Sequence, residues 1–141
     1  MQVQPYLNFD GRCEEAIAFY QKALGAEVIM KMHFKDMPKQ EGQEGCPGGP
    51  TPGTENKVMH AELQIGKSVV LLSDGRCEGK TNFHGVALSI DLDDVAKCEK
   101  VFAALSEGGQ VNMPLGQTFF AKSFGMLQDK FGVGWMVIVR R

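Results

Sequence analysis

No window of this 141-residue sequence is apolar over the roughly 20 residues that a bilayer-spanning helix needs, so no transmembrane segment is expected. A dominant charge of one sign is also missing. Fifteen Lys and Arg stand against 17 Asp and Glu, for a net charge of −2, and the two signs are mixed along the chain. Such a balance offers no broad attraction to phosphate backbones or anionic lipid, so neither nucleic acid nor a membrane is an expected partner. The opening residues, Met1-Gln2-Val3-Gln4-Pro5-Tyr6, lack the basic stretch and apolar run of a signal peptide. The four cysteines, Cys13, Cys46, Cys77 and Cys98, include no C-x-x-C pair, and a chain of this length can bury a core without disulfides. The expectation is a cytoplasmic protein with reduced thiols.

Several chemistries are missing as well. The glycine-rich stretch Gly45-Cys46-Pro47-Gly48-Gly49-Pro50 is interrupted by prolines and opens no helix, so it is not a phosphate-binding loop. No G-x-G turn joins a strand to a helix, which counts against the usual binding of nucleotides or S-adenosylmethionine. No serine sits in a nucleophile-elbow motif.

What is there is a pattern of elements, in a chain that is 43% hydrophobic and 23% charged. Val3, Pro5, Leu7 and Phe9 alternate with Gln4, Tyr6 and Asn8, the period of a half-buried strand. Asp10-Gly11 offers a turn and a cap. Ile17, Tyr20 and Leu24 then predict a helix over about 13–24, stopped by Gly25. Val28, Met30, Met32 and Phe34 predict one apolar strand face over 27–34. Residues 35–57, with five glycines and four prolines, read as a long loop, either a bland insertion or a lid. In the strand over 58–65, Met59, Ala61, Leu63 and Ile65 alternate with His60, Glu62 and Gln64. A Gly66-Lys67 turn leads to the apolar strand 68–72.

The second half repeats this order. A strand over 85–90, with Asp91 as the predicted cap, precedes a helix carrying Val95, Cys98, Phe102 and Leu105 and ending at Gly108-Gly109. Strands around 110–113, 118–127 and 134–139 complete it. The predicted architecture is α+β: two βαβββ modules, about 1–75 and 82–141, in one domain whose mixed sheets curve into a cup.

The polar strand faces have two readings. They meet water, as one face of an antiparallel sheet commonly does, or they line a cavity. Tyr6 and the aromatic segment Phe119, Phe120, Phe124 and Trp135 favour the cavity, although the same aromatics also suit an ordinary core. Cys98 reads as packing. Cys13, near a helix start where the dipole favours a thiolate, has packing and reactivity as its alternatives.

Pro5-Tyr6-Leu7, Ala16-Ile17-Ala18-Phe19-Tyr20, Leu24-Gly25 and His60-Ala61 open a series of motifs that spans nearly the whole chain. Gln117-Thr118-Phe119, Phe124-Gly125-Met126, Asp129-Lys130-Phe131-Gly132-Val133 and Trp135-Met136 continue it. With the βαβββ repeat, these residues resemble PhnB-like proteins of the vicinal-oxygen-chelate superfamily, which includes glyoxalases, bleomycin-resistance proteins and extradiol dioxygenases. The family also carries a demethylubiquinone methyltransferase label, an activity that none of these residues demonstrates.

The resemblance implies a divalent metal held by His or Glu on four strands. Carried over by motif, those positions fall on Gln4, Glu62, Gly85 and Met136. Of these, only Glu62 suits a hard or borderline cation. His60, two residues before Glu62 and on the same strand face, is the other metal candidate. His84 reaches the site only if a bulge turns it inward, and His33 lies off it. The resemblance thus implies a small-molecule ligand contacted by Gln4, Tyr6, His60, Lys122, Trp135 and Met136, with Glu62 as the catalytic candidate. Two alternatives stay open: a divalent-metal-dependent lyase, isomerase or dioxygenase of the glyoxalase type, and a dimeric regulatory protein. Superfamily likeness further implies a homodimer.

Overall fold

The computed structural model describes residues 1–36, 53–75 and 80–141. The loop expected over 35–57 therefore lies largely outside the described residues, and so do Cys46 and Cys77. The chain forms two compact units, Met1–Thr81 and Asn82–Arg141.

In the first unit the elements are β1 (Tyr6–Asn8), α1 (Cys13–Leu24), β2 (Glu27–His33), β3 (Val58–Ile65) and β4 (Ser68–Ser73). The sheet order is β1-β4-β3-β2, with β1 parallel to β4 and the other pairs antiparallel. β1 is shorter than the alternation suggests. Pro5 accepts from Leu71 N at 3.0 Å but has no N–H to return, so the ladder begins at Tyr6 and Gln4 lies outside it.

α1 forms where its spacing predicts, and buries Cys13, Ala16, Ile17 and Tyr20. Gly25 ends it in the left-handed region, φ 65°, its N–H bonded to Gln21 O. The cap is not Asp10. Arg12 holds the cap position without a side-chain cap bond, its Nε donating instead to Glu15 Oε2 at 2.9 Å. The capping carboxylate comes instead from Asp74, beyond β4: Oδ1 accepts Cys13 N at 2.7 Å and Gly11 N at 2.8 Å, and Oδ2 accepts Val58 N at 2.8 Å. The buried core lies on the helix side, with Leu7, Ala61, Leu63, Val70 and Leu72 facing α1.

β2 corrects one expectation. Val28 pairs with Leu63 and Met30 with Glu62, so a bulge at Ile29 intervenes. Paired residues share a face, so Val28 lies with the helix-side residues while Met30 and Met32 lie on the open face beside Glu62 and His60. Phe34 belongs to no strand; it begins a 3-10 turn, and its N–H bonds to Lys57 O at 3.1 Å.

The second unit has β5 (Ala87–Leu92), α2 (Val95–Ser106), β6 (Gln110–Gly116), β7 (Ala121–Gln128) and β8 (Gly134–Arg140), in the order β5-β8-β7-β6. The cap of α2 is Asp94, whose Oδ1 accepts Ala96 N at 3.0 Å. Asp91 stays in β5, paired with Ile138, and its carboxylate accepts from Arg140 Nε. The internal repeat extends to its irregularities. Val111 pairs with Leu127 and Met113 with Met126, the same bulge seen in β2. Each unit is thus one four-stranded mixed sheet with one face covered by its own helix.

Candidate functional site

The uncovered face of the first sheet brings together three of the side chains singled out from the sequence. Tyr6 pairs with Leu71, Leu71 with Glu62, and Glu62 with Met30, so these four share one row across the sheet. His60 stands two positions before Glu62 and beside Met32. Tyr6 reaches over β4 to His60, its Oη 3.0 Å from Nδ1 and the rings 5.6 Å apart between centroids. On the other side of the ring, Nε2 lies 3.6 Å from Glu62 Oε2. Nδ1 accepts the phenolic proton when Nε2 carries the imidazole hydrogen, and that tautomer turns an N–H toward the carboxylate. The side chains of His60 and Glu62 are 24% and 33% exposed, so the face is open to solvent yet partly sheltered.

The row is held at one end and from beneath. Ser73 Oγ donates to Asn8 Oδ1 at 2.7 Å and accepts Gly75 N at 3.0 Å, which ties β1 to the end of β4 beside the Tyr6–His60 contact. Beneath, Leu7, Ala61 and Leu72 are packed against α1. Three strands with a rigid core under them therefore position the phenol, imidazole and carboxylate.

In the second unit Met136 lies on the open face, paired with Met126 and Ser89. Lys122 is exposed on β7, in the bulge between Ala121 and Ser123. Trp135 lies on the opposite, helix-side face, 3% exposed. Its indole N–H donates to Asp129 Oδ2 at 2.9 Å, and Asp129 Oδ1 accepts Phe131 N and Val133 N at 2.9 and 3.0 Å. The Asp129–Val133 motif is thus a buried turn closed by its own carboxylate, with Trp135 as its third donor. Sequence reasoning singled out the motif but not the role of Asp129, nor that of Asp74. The signal available was an aspartate at a strand end before glycine or a turn. A cleft of about 440 Å³ lies at the Gly134 end of this sheet, lined by Phe83, His84, Asn112, Met126 and Gln128 among others. Gly85 adjoins it with φ +83°, outside β5.

Cys13 is not poised as a nucleophile. Burial, reinforced by the neighbouring Asp74 and Glu14 carboxylates, drives its thiol far above the ordinary range. Burial also raises Cys98, against the effect of a contact to Ser123 Oγ at 3.8 Å.

The divalent metal that the fold implies does not fit the donors present. Among the described residues no three His, Cys, Asp or Glu side chains converge as a metal site. His60 and Glu62 supply two donors, whereas Gly85 has no side chain and Met136 offers a soft thioether. A tight catalytic site of the zinc kind commonly takes three protein ligands.

The family model described as 3-demethylubiquinone-9 3-methyltransferase matches residues 1–138. Protein YjdN of Escherichia coli is 39% identical over 141 residues, a span covering 99% of this chain and 95% of YjdN. The structure of the PhnB protein from Bacillus cereus matches 99% of each chain at 26% identity, with a TM-score of 0.77. A glyoxylase/bleomycin resistance protein/dioxygenase domain from Frankia shares the fold at 12% identity, covering 99% of this chain and 95% of that one with a TM-score of 0.62. Two mixed four-stranded sheets, each with its helix, and a match over nearly every residue place this chain in the PhnB-like family, of the glyoxalase/bleomycin resistance/dioxygenase fold.

Proposed function

We propose that this protein binds a small molecule on the open face of its first sheet, with Tyr6, His60 and Glu62 as the polar contacts. The observation that carries the reading is the Tyr6–His60–Glu62 chain itself. Its Tyr6–His60 link is a direct hydrogen bond, but the 3.6 Å from Nε2 to Oε2 exceeds the length of one. A ligand hydroxyl, or a water carried with it, satisfies both groups by accepting from the imidazole N–H and donating to the carboxylate. Met30, Met32 and Leu71 on the same face supply apolar wall. A mostly apolar surface with a few placed polar groups is the usual make-up of a ligand site.

Methyl transfer is not part of the proposal. The β1–α1 connection runs through Asp10-Gly11-Arg12 and has no G-x-G turn. Glu62 with His60 also has the groups of a general base toward a bound C–H or O–H acid, and the proposal extends to a ligand of that kind as substrate.

The alternative reading is a metal-dependent enzyme of the glyoxalase type. One observation favours it: two donors 3.6 Å apart suit neighbouring ligands of one ion. Metal analysis of protein purified without chelator separates the two. Binding without metal predicts substoichiometric content and no dependence on Glu62. Stoichiometric zinc, nickel, manganese or iron that disappears in Glu62→Ala would establish the alternative. Assembly as a homodimer belongs to the same proposal, on the strength of family likeness. Sedimentation equilibrium should give twice the 15.5 kDa chain mass, and a monomer at high concentration would remove that part.

A further inference from the structure

The open face of the second sheet carries a different chemistry. Met113 on β6 pairs with Met126 on β7, Met126 pairs with Met136 on β8, and Met136 pairs with Ser89 on β5. Directly paired residues point to the same side of a sheet, so three thioethers stand in one row across three adjacent strands. The neighbouring glycine identifies the side. A Cβ at Gly125 would meet Phe102 of α2 at 2.7 Å, so Met126, one residue on, points away from the helix. Met113 is 44% exposed and the other two are half-buried, so solvent reaches the row.

The spacing permits convergence. Adjacent strands lie about 4.8 Å apart, which puts the outer backbones roughly 10 Å from each other with Met126 midway. Each methionine has three rotatable bonds, enough to bring the outer sulfurs to a common point above the central one. The cleft lined by Met126 gives access from one end. The matching row of the first sheet reads Tyr6, Leu71, Glu62 and Met30, with a carboxylate where the second sheet has Met126. In the second sheet that hard anionic donor is replaced by a soft neutral one.

We propose that Met113, Met126 and Met136 form a three-thioether site for a soft monovalent d10 cation, Cu(I). Thioethers select Cu(I) over hard or borderline divalent ions, and three neutral donors provide no charge to hold a divalent ion. The site binds the ion in the state in which it arrives, with no redox step. It belongs to the second unit and the Tyr6 face to the first, and neither reading depends on the other.

The test uses full-length protein with Cys46→Ser and Cys77→Ser, since thiolates compete for the same ions; Cys13 and Cys98 are buried. With 13C-methyl methionine, silver nitrate serves as the redox-inert probe, followed by Cu(I) under anaerobic conditions against a chromophoric chelator. The methyl signals of Met113, Met126 and Met136 should move together and saturate at one equivalent. Those of Met30, Met32 and Met59 should stay in place, and zinc should move none of them. Met126→Leu, which keeps the volume, should weaken silver binding at least tenfold; Met113→Leu serves the same purpose at an exposed position. Silver that leaves the three methyls unmoved at one equivalent would overturn the site. So would shifts shared equally with Met30 and Met32, or unchanged affinity in both leucine variants.

Discussion

The carboxylate of Asp74 accepts the backbone N–H of Cys13 at 2.7 Å across 61 positions of chain, so the residue just beyond β4 caps α1. The same side chain, 1% exposed, also takes the N–H groups of Gly11 and Val58. Removing it strands three donors, two of them buried. Asp74→Ala is expected to lower unfolding free energy by at least about 2 kcal/mol, from unmet buried groups and a lost cap. Urea denaturation measures this. A loss under about 0.5 kcal/mol would mean that the helix start is held by something else.

Gly125 lies where α2 packs tightly on the second sheet. A methyl there would lie 2.7 Å from Phe102 Cε2, 2.9 Å from Leu115 Cδ2 and 3.1 Å from Met113 O. The two side chains can yield but the backbone oxygen cannot easily do so. Gly125→Ala should therefore cost about 1–3 kcal/mol, the usual range for overpacking. Adding Phe102→Leu should recover part of that loss in thermal denaturation. Failure of the double variant to recover any would place the strain on the β6 backbone.

Acid stability should depend on one link between α1 and β2. Glu14 contacts His33 Nε2 at 2.6 Å and Lys31 Nζ at 3.0 Å. Burial pushes its carboxyl up, but the bonds from His33 and Lys31 outweigh burial and hold it below its ordinary 4.5. A folded value below the unfolded one means stability that is present above about 4.5 and is lost as the pH falls through the folded value. Glu14→Gln should flatten the acid limb by lowering stability slightly in the neutral region while converging on the wild type at low pH, the difference being small because the pair is largely exposed. Urea midpoints between pH 2.5 and 7 provide the comparison. Parallel curves for the two proteins would refute the link.

Much of the fold was legible because it rests on periodicity. The helix over Cys13–Leu24 and the alternation of Ala61 and Leu63 with His60 and Glu62 follow from side-chain spacing alone. The face of Met30 was not legible. One extra residue at Ile29 inverts the alternation, and nothing local in a β-branched residue announces a bulge. The caps were misplaced for a different reason. Asp10 and Asp91 stand at the right local distance, but Asp74 reaches α1 through the tertiary fold, and β5 runs on past Asp91 to Leu92. For the site, strand parity put Tyr6, His60 and Glu62 on one face. The contact between Tyr6 and His60, 54 residues apart, required the β1-β4-β3 strand order. Trp135 and Met136 show the limit of motif reading: adjacent in sequence, they occupy opposite faces of β8.

The central claim is that the Tyr6–His60–Glu62 face receives a small molecule. Isotope-labelled protein screened by NMR against a chemically mixed library of small alcohols, carboxylates and carbonyl compounds tests it most directly. Bound members should shift the amides of Tyr6, His60, Glu62 and Leu71 together. Their affinity should fall at least tenfold in the Tyr6→Phe, Glu62→Gln double variant, whose fold the same spectra monitor. Ligands that leave those four amides unmoved, or that bind the folded double variant as tightly as the wild type, would contradict it.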